Sequence, residues 1–138
     1  MKNTRGFTLL ELMVVVVIIA ILAAIAYPSY ARYAFRARRA DAQNLLMHIA
    51  TAQERFYSTY NKYTDNLPAL GYDDTPTSEN GYYTAGVQIA DKGQGFTATA
   101  TPQGVQASDA CGALSIDNTG DKQPDASDAA LNSNGSCW

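Results

Sequence analysis

Residues that do chemistry are scarce in this 138-residue chain, which has one histidine, one tryptophan and two cysteines. The lone histidine, His48, stands between Met47 and Ile49 with no base, nucleophile or ligand pattern around it. Catalysis by a general base or a nucleophile needs a second group within hydrogen-bond reach. His48 therefore reads as a surface or subunit-contact residue. Glycine-rich phosphate loops, cysteine knuckles and nucleophile elbows are also missing from the sequence. These absences argue against an enzyme, and no cofactor is implied.

Positive charge is nearly as scarce beyond residue 40. Residues 41–138 carry four cations, Arg55, Lys62, Lys92 and Lys122, against twelve Asp and Glu, net −8. Residues 1–40 are the reverse, at net +5. The acidic part repels nucleic acid on average and suits an aqueous exterior. Asp117, Asn118, Asp121, Asp125 and Asp128 offer hard oxygens at short spacing, as a calcium loop would. They depart from the EF-hand order and have no closing glutamate, and turn chemistry accounts for them without a metal.

What the chain does have is a run of 21 residues, Phe7 to Tyr27, in which Glu11 is the only charged side chain. At about 1.5 Å per residue such a helix spans roughly 31 Å, close to a bilayer core. A carboxylate there costs roughly 2.5–3.5 kcal/mol, so it needs a partner or a task. A short basic leader, Met1 to Gly6 with Lys2 and Arg5, precedes the run. Two plainer readings compete. Ala24-Ile25-Ala26 has the form of a signal-peptidase site, and a single-pass anchor needs nothing but the run itself. Glu11 and the length of the run weigh against the first.

Gly6-Phe7-Thr8-Leu9-Leu10-Glu11 and the Val/Ile/Ala run after it closely resemble the N-terminus of type IV pilin precursors. The resemblance implies a leader at residues 1–6, cut after Gly6 by a prepilin peptidase that also N-methylates Phe7. It implies that Glu11 neutralises the N-terminal amine of a neighbouring subunit during assembly. Paired opposite charges in an apolar bundle relieve each other's desolvation, which would favour one axial register. It further implies a filament-core helix over 7–28, with Pro28 kinking rather than ending it, and a head over 29–138. Topology follows the same resemblance, with the N-terminus cytoplasmic in a bacterial inner membrane before assembly and an extracellular pilus afterwards. Counting Arg32, Arg36, Arg38 and Arg39 beyond the span would give the opposite orientation. That arginine cluster reads as the point where the helix leaves lipid, meeting headgroups or neighbouring subunits.

In the exported part, the two cysteines, Cys111 and Cys137, are expected to form a disulfide, since free thiols or a metal site lack supporting residues. The ending Cys137-Trp138 resembles PilE-like minor pilins. Leu45, Ile49, Ala52, Phe56 and Tyr60 recur at helical offsets, predicting an amphipathic half-helix over 29–60. Alternation at 83–89, 96–101 and 114–117, with a turn at Lys92-Gly93-Gln94-Gly95, predicts antiparallel strands with one buried face. The expected fold is α+β, a long kinked N-terminal helix packed on a three- to four-stranded antiparallel sheet with a C-terminal disulfide loop. An αβ-loop over 61–80 joins helix to sheet, and the sheet and disulfide loop fill 81–138.

The function read from these features is structural. The resemblance implies a pilus subunit, most similar to the minor pilins, expected to support assembly and pilus-dependent motility, adhesion or DNA uptake. Its partners are other pilin subunits, the peptidase, an inner-membrane assembly platform, and lipid before assembly. A type II secretion pseudopilin is the first alternative. A DNA- or receptor-binding minor pilin is the second, with Arg55, Lys62 and Lys92 as its contacts. DNA ranks behind the structural role because those cations are few and the tyrosine cluster from Tyr57 to Tyr83 suits packing better than stacking.

Overall fold

The helix begins where local chemistry says it should. The Thr8 hydroxyl accepts the Glu11 backbone N–H at 3.2 Å, and the Thr8 carbonyl accepts from Leu12. Thr8 and Glu11 thus occupy the two positions of a capping box, and the Glu11 carboxylate stands in the first turn, where the helix dipole favours a negative charge. The computed structural model describes residues 6–138, so the leader expected at 1–6 lies outside the described residues except for Gly6. From there the chain forms two compact units, one up to Ala34 and one from Phe35 to Trp138. One helix, α1 (Leu9–Tyr60), contributes to both and continues through Pro28.

In the first unit the large apolar side chains from Phe7 to Ile25 are all between 45% and 84% exposed. Nothing among the described residues covers them. A helix that is apolar all round demands a membrane or other helices as its surroundings.

The second unit builds an ordinary core. Its strands are β1 (Tyr83–Ala90), β2 (Gly95–Pro102), β3 (Leu114–Asp117) and β4 (Lys122–Gln123), joined antiparallel in the order β1-β2-β3-β4. The register pairs Ala85 with Ala100, Ile89 with Phe96, Ala98 with Ile116, and Ile116 with Lys122. Period-two alternation turns Tyr83, Ala85, Phe96, Ala98, Ala100, Leu114 and Ile116 inward, and all are buried. They form one cluster with Ala42, Leu46 and Ile49 of α1. Alanines at the sheet's centre let the helix approach closely, while Tyr83 and Phe96 fill the ends.

The buried helix face is rotated from the expected one. Ile49 and Ala52 lie inside as predicted, but Leu45 and Phe56 are half-buried and Tyr60 is 61% exposed. Arg39, Ala42, Leu46, Ile49 and Gln53 make the inner stripe. Polar members of that stripe escape a hydrophobicity pattern because their bonds are made inside. Gln53 donates to the Thr64 carbonyl at 2.6 Å and accepts the Thr64 N–H at 3.1 Å. Asp41 is likewise buried and accepts from Asn80.

Cys111 and Cys137 form the expected disulfide, with Cα atoms 5.7 Å apart. The aspartates considered above for calcium serve turns. Asp117 accepts from the Thr119 hydroxyl and N–H and from the Asp121 N–H, Asp125 from Ser127, and Asp128 from Ala130 and Leu131. Bonds led by the Thr119 hydroxyl hold the Asp117 carboxyl below the usual carboxylate range.

Candidate functional site

Three connections meet at one end of the sheet. These are the exit from α1 (Asn61–Thr64), the β1–β2 turn (Asp91–Gln94) and the β3–β4 turn (Asn118–Asp121). The Tyr63 N–H donates to the Gly93 carbonyl at 2.8 Å, and the Gln94 amide donates to the Asn61 carbonyl at 3.1 Å. The Tyr57 hydroxyl donates to Gln94 at 2.8 Å. Asn118 exchanges bonds with Phe96, donating its N–H at 3.2 Å and accepting at 3.4 Å. Beneath lies an aromatic stack, Tyr57 on Tyr63 and Tyr63 edge-on to Phe96, with ring centres 4.6 and 4.8 Å apart. Burial, and then the hydrogen bond from its hydroxyl to Glu54, push Tyr63 up to about 12.

The backbone at this end is under strain. Among the described residues, Asn61, Asp91 and Lys92 are the non-glycine residues with positive φ, at 53°, 49° and 56°. All three are here. Such conformations cost on the order of 1–3 kcal/mol each and persist where surrounding structure imposes them. Gly93 shows why the turn is tight. A side chain there would begin 3.2 Å from the Lys62 Cβ, and its φ of +96° suits only glycine.

Lys62 and Lys92 are thereby brought together on this rim. Lys122 stands on β4 near the same end, and Trp138 lies under it, the ammonium 4.9 Å from the ring centre. Arg55 is elsewhere, in a shallow groove of about 270 Å³ with Phe56, Ala69 and Leu70. Of the three cations expected as ligand contacts, two meet and one does not. Among the described residues none of these four cations forms a salt bridge. The rim's carboxylates are Asp91 and Asp121, both exposed, and Glu54 and Asp117, which each accept at one oxygen, from Tyr63 and from the turn.

Arg39 was expected at lipid or a neighbour, and the structure corrects this. Its Nε and Nη2 reach the two carboxylate oxygens of Asp109 at 2.7 Å each, and its Nη1 donates to the carbonyls of Gly135 and Ser136. The pair is fully buried. Gln106 adds a bond to Asp109 and another to the Tyr83 hydroxyl. Burial alone would raise the Asp109 carboxyl, but the bonds and charge of Arg39, with those from Asn134 and Cys111, hold it below the usual carboxylate range. A fork-to-fork arginine–carboxylate pair of this kind locks α1 to the disulfide loop. No sequence signal marked it, since the partners are 70 residues apart. Arg38 is also engaged, lying 4.8 Å over the Tyr82 ring. His48 edges a groove of about 550 Å³ with Asp41, Asn44, Tyr72 and Glu79.

Comparison with known proteins adds three findings. Residues 28–115 match the family described as type IV minor pilin ComP, DNA uptake sequence receptor. Residues 1–27 match the prokaryotic N-terminal methylation motif. The chain is similar to a solved type IV pilin from Shewanella oneidensis, at 31% identity over 75% of this chain and 97% of that one, with a TM-score of 0.56. No curated protein matches.

Proposed function

Because this chain belongs to the type IV minor pilins of the ComP family, we propose that it is a filament subunit whose sheet end receives DNA. The observation that carries the DNA reading is the meeting of Lys62 and Lys92 on a rim that also holds every non-glycine positive-φ residue among those described. Ammonium groups with no salt-bridge partner among the described residues are free to displace counterions from phosphates. Rigid turns present them without flexible loops to order on binding. The acidic remainder of the head repels the duplex and restricts contact to this rim.

Assembly rests on the other unit. Cleavage after Gly6 would leave Phe7 as the N-methylated first residue, in the turn that precedes α1. Glu11 then has two uses, as a first-turn charge matched to the helix dipole and as counter-charge to a neighbour's amino terminus. Pro28 ends the apolar stretch without ending the helix. The precursor sits in the inner membrane and the mature chain in the pilus, with the peptidase and an inner-membrane platform as its assembly partners. The pseudopilin alternative receives no support from a head that closes its C-terminal loop with a disulfide and matches a minor pilin family.

The test is duplex binding by the full-length chain in detergent, measured against salt. Affinity should fall steeply as salt rises, and Lys62→Glu with Lys92→Glu should abolish it at moderate ionic strength. Absence of binding at low salt, or binding indifferent to both substitutions, refutes the proposal.

A further inference from the structure

Lys122 and Trp138 lie beyond the stretch that matches the minor pilin family, which ends at residue 115. Trp138 is nonetheless held at three points. Its indole N–H donates to the Gln123 carbonyl at 2.8 Å, its carbonyl accepts from the Ser136 hydroxyl, and its ring packs against the core cluster. The residue before it, Cys137, is fully buried and bonded to Cys111. The ring therefore has a fixed place beside β4. Over that ring sits the Lys122 ammonium, 4.9 Å from its centre. A cation–π contact restrains a lysine without using its N–H donors, so the group stays available to an anion. A free lysine side chain loses rotamer freedom when it is fixed, and here much of that ordering precedes binding.

Lys122 is placed to act with the rim. It pairs with Ile116, which pairs with Ala98, two residues inward from Phe96 at the turn end of β2. The β1–β2 turn carrying Lys92 is two to three strands away, about 10–15 Å at the usual strand spacing. That distance is too large for both to grip one phosphate and suits two phosphates of one polyanion.

We propose, on the basis of the DNA-receiving role above, that Trp138 is a positioning residue. Its ring, tethered by the Cys111–Cys137 disulfide, presents Lys122 as a third phosphate contact alongside Lys62 and Lys92. Four full-length variants in detergent, titrated with a fluorescent duplex over a range of salt, test this. Lys122→Ala should weaken binding roughly five- to tenfold near 0.1 M salt and lower the log–log salt slope by about one. Trp138→Ala should reproduce both changes, and adding it to Lys122→Ala should do no further harm. Trp138→Phe, which keeps a ring under the ammonium, should recover most of the affinity and the full slope. Unchanged binding by Lys122→Ala, while Lys62→Glu with Lys92→Glu abolishes it, overturns this inference and leaves the receptor role standing. Loss in Trp138→Ala that is additive with Lys122→Ala, or that changes affinity without the slope, overturns the positioning role alone. No binding by the parent chain overturns both.

Discussion

At the scale of single residues, the buried Arg39–Asp109 pair is the contact with the most at stake. Removing one partner leaves an uncompensated buried charge, which costs about 3–5 kcal/mol. Arg39→Ala should therefore unfold the head at markedly lower urea than the parent chain. Because the folded Asp109 carboxyl lies below its ordinary range, its contribution is present above about pH 4 and is lost as pH falls further. Asp109→Asn should be less stable at pH 7 and should flatten the acid limb of a melting-temperature profile. An acid limb of parent shape in that variant contradicts the assignment. Asp91 gives a second test at this scale. It is the exposed carboxylate within the lysine turn and already adopts positive φ, which asparagine tolerates well. Asp91→Asn should raise DNA affinity several-fold with no loss of stability. Neither residue was legible beforehand, since burial of a charge and local strain depend on partners distant in sequence.

At the scale of elements, much was readable. Period-two alternation located β1, β2 and β3, because a sheet with one solvated face must alternate. The two-residue β4 carries no pattern to read, and it exists because Ile116 and Ser115 offer an open ladder beside the turn. The helix stripe was misjudged by one position for a specific reason. Gln53 and Asp41 are buried with their bonds satisfied, so polarity misled where hydrophobicity alone was counted. The disulfide was legible from two cysteines in an exported part, although its neighbour Arg39, which grips the same segment, was not. Closing a loop of this length contributes about 3–4 kcal/mol in the chain-entropy model. Cys111→Ser should lower the unfolding free energy by about that amount and steepen its linear dependence on urea, because the released unfolded chain exposes more surface. In the first unit, Glu11→Gln retains an acceptable capping residue but removes the charge. It should insert and be trimmed normally yet enter filaments poorly. Quantitative recovery of that variant in sheared filaments rules out the pairing role.

At the scale of the whole molecule, charge was the feature most easily misread. A net of −8 over residues 41–138 places DNA behind a purely structural role. Net charge describes average repulsion, whereas recognition depends on which groups share a surface. The fold gathers Lys62, Lys92 and Lys122 toward one end of the sheet and engages the carboxylates of Glu54 and Asp117 in hydrogen bonds of their own. The division of labour follows the two units. One offers an apolar helix that nothing among the described residues covers, and the other has a complete core and a basic rim.

Where the duplex touches the head decides this account. Photocross-linking of duplex DNA to the full-length chain, followed by peptide mapping, measures that contact directly. Adducts should concentrate on the peptides containing Lys62, Lys92 and Lys122 and disappear as salt is raised. Adducts centred on Arg32, Arg36 and Arg38, or spread evenly over the head, contradict it.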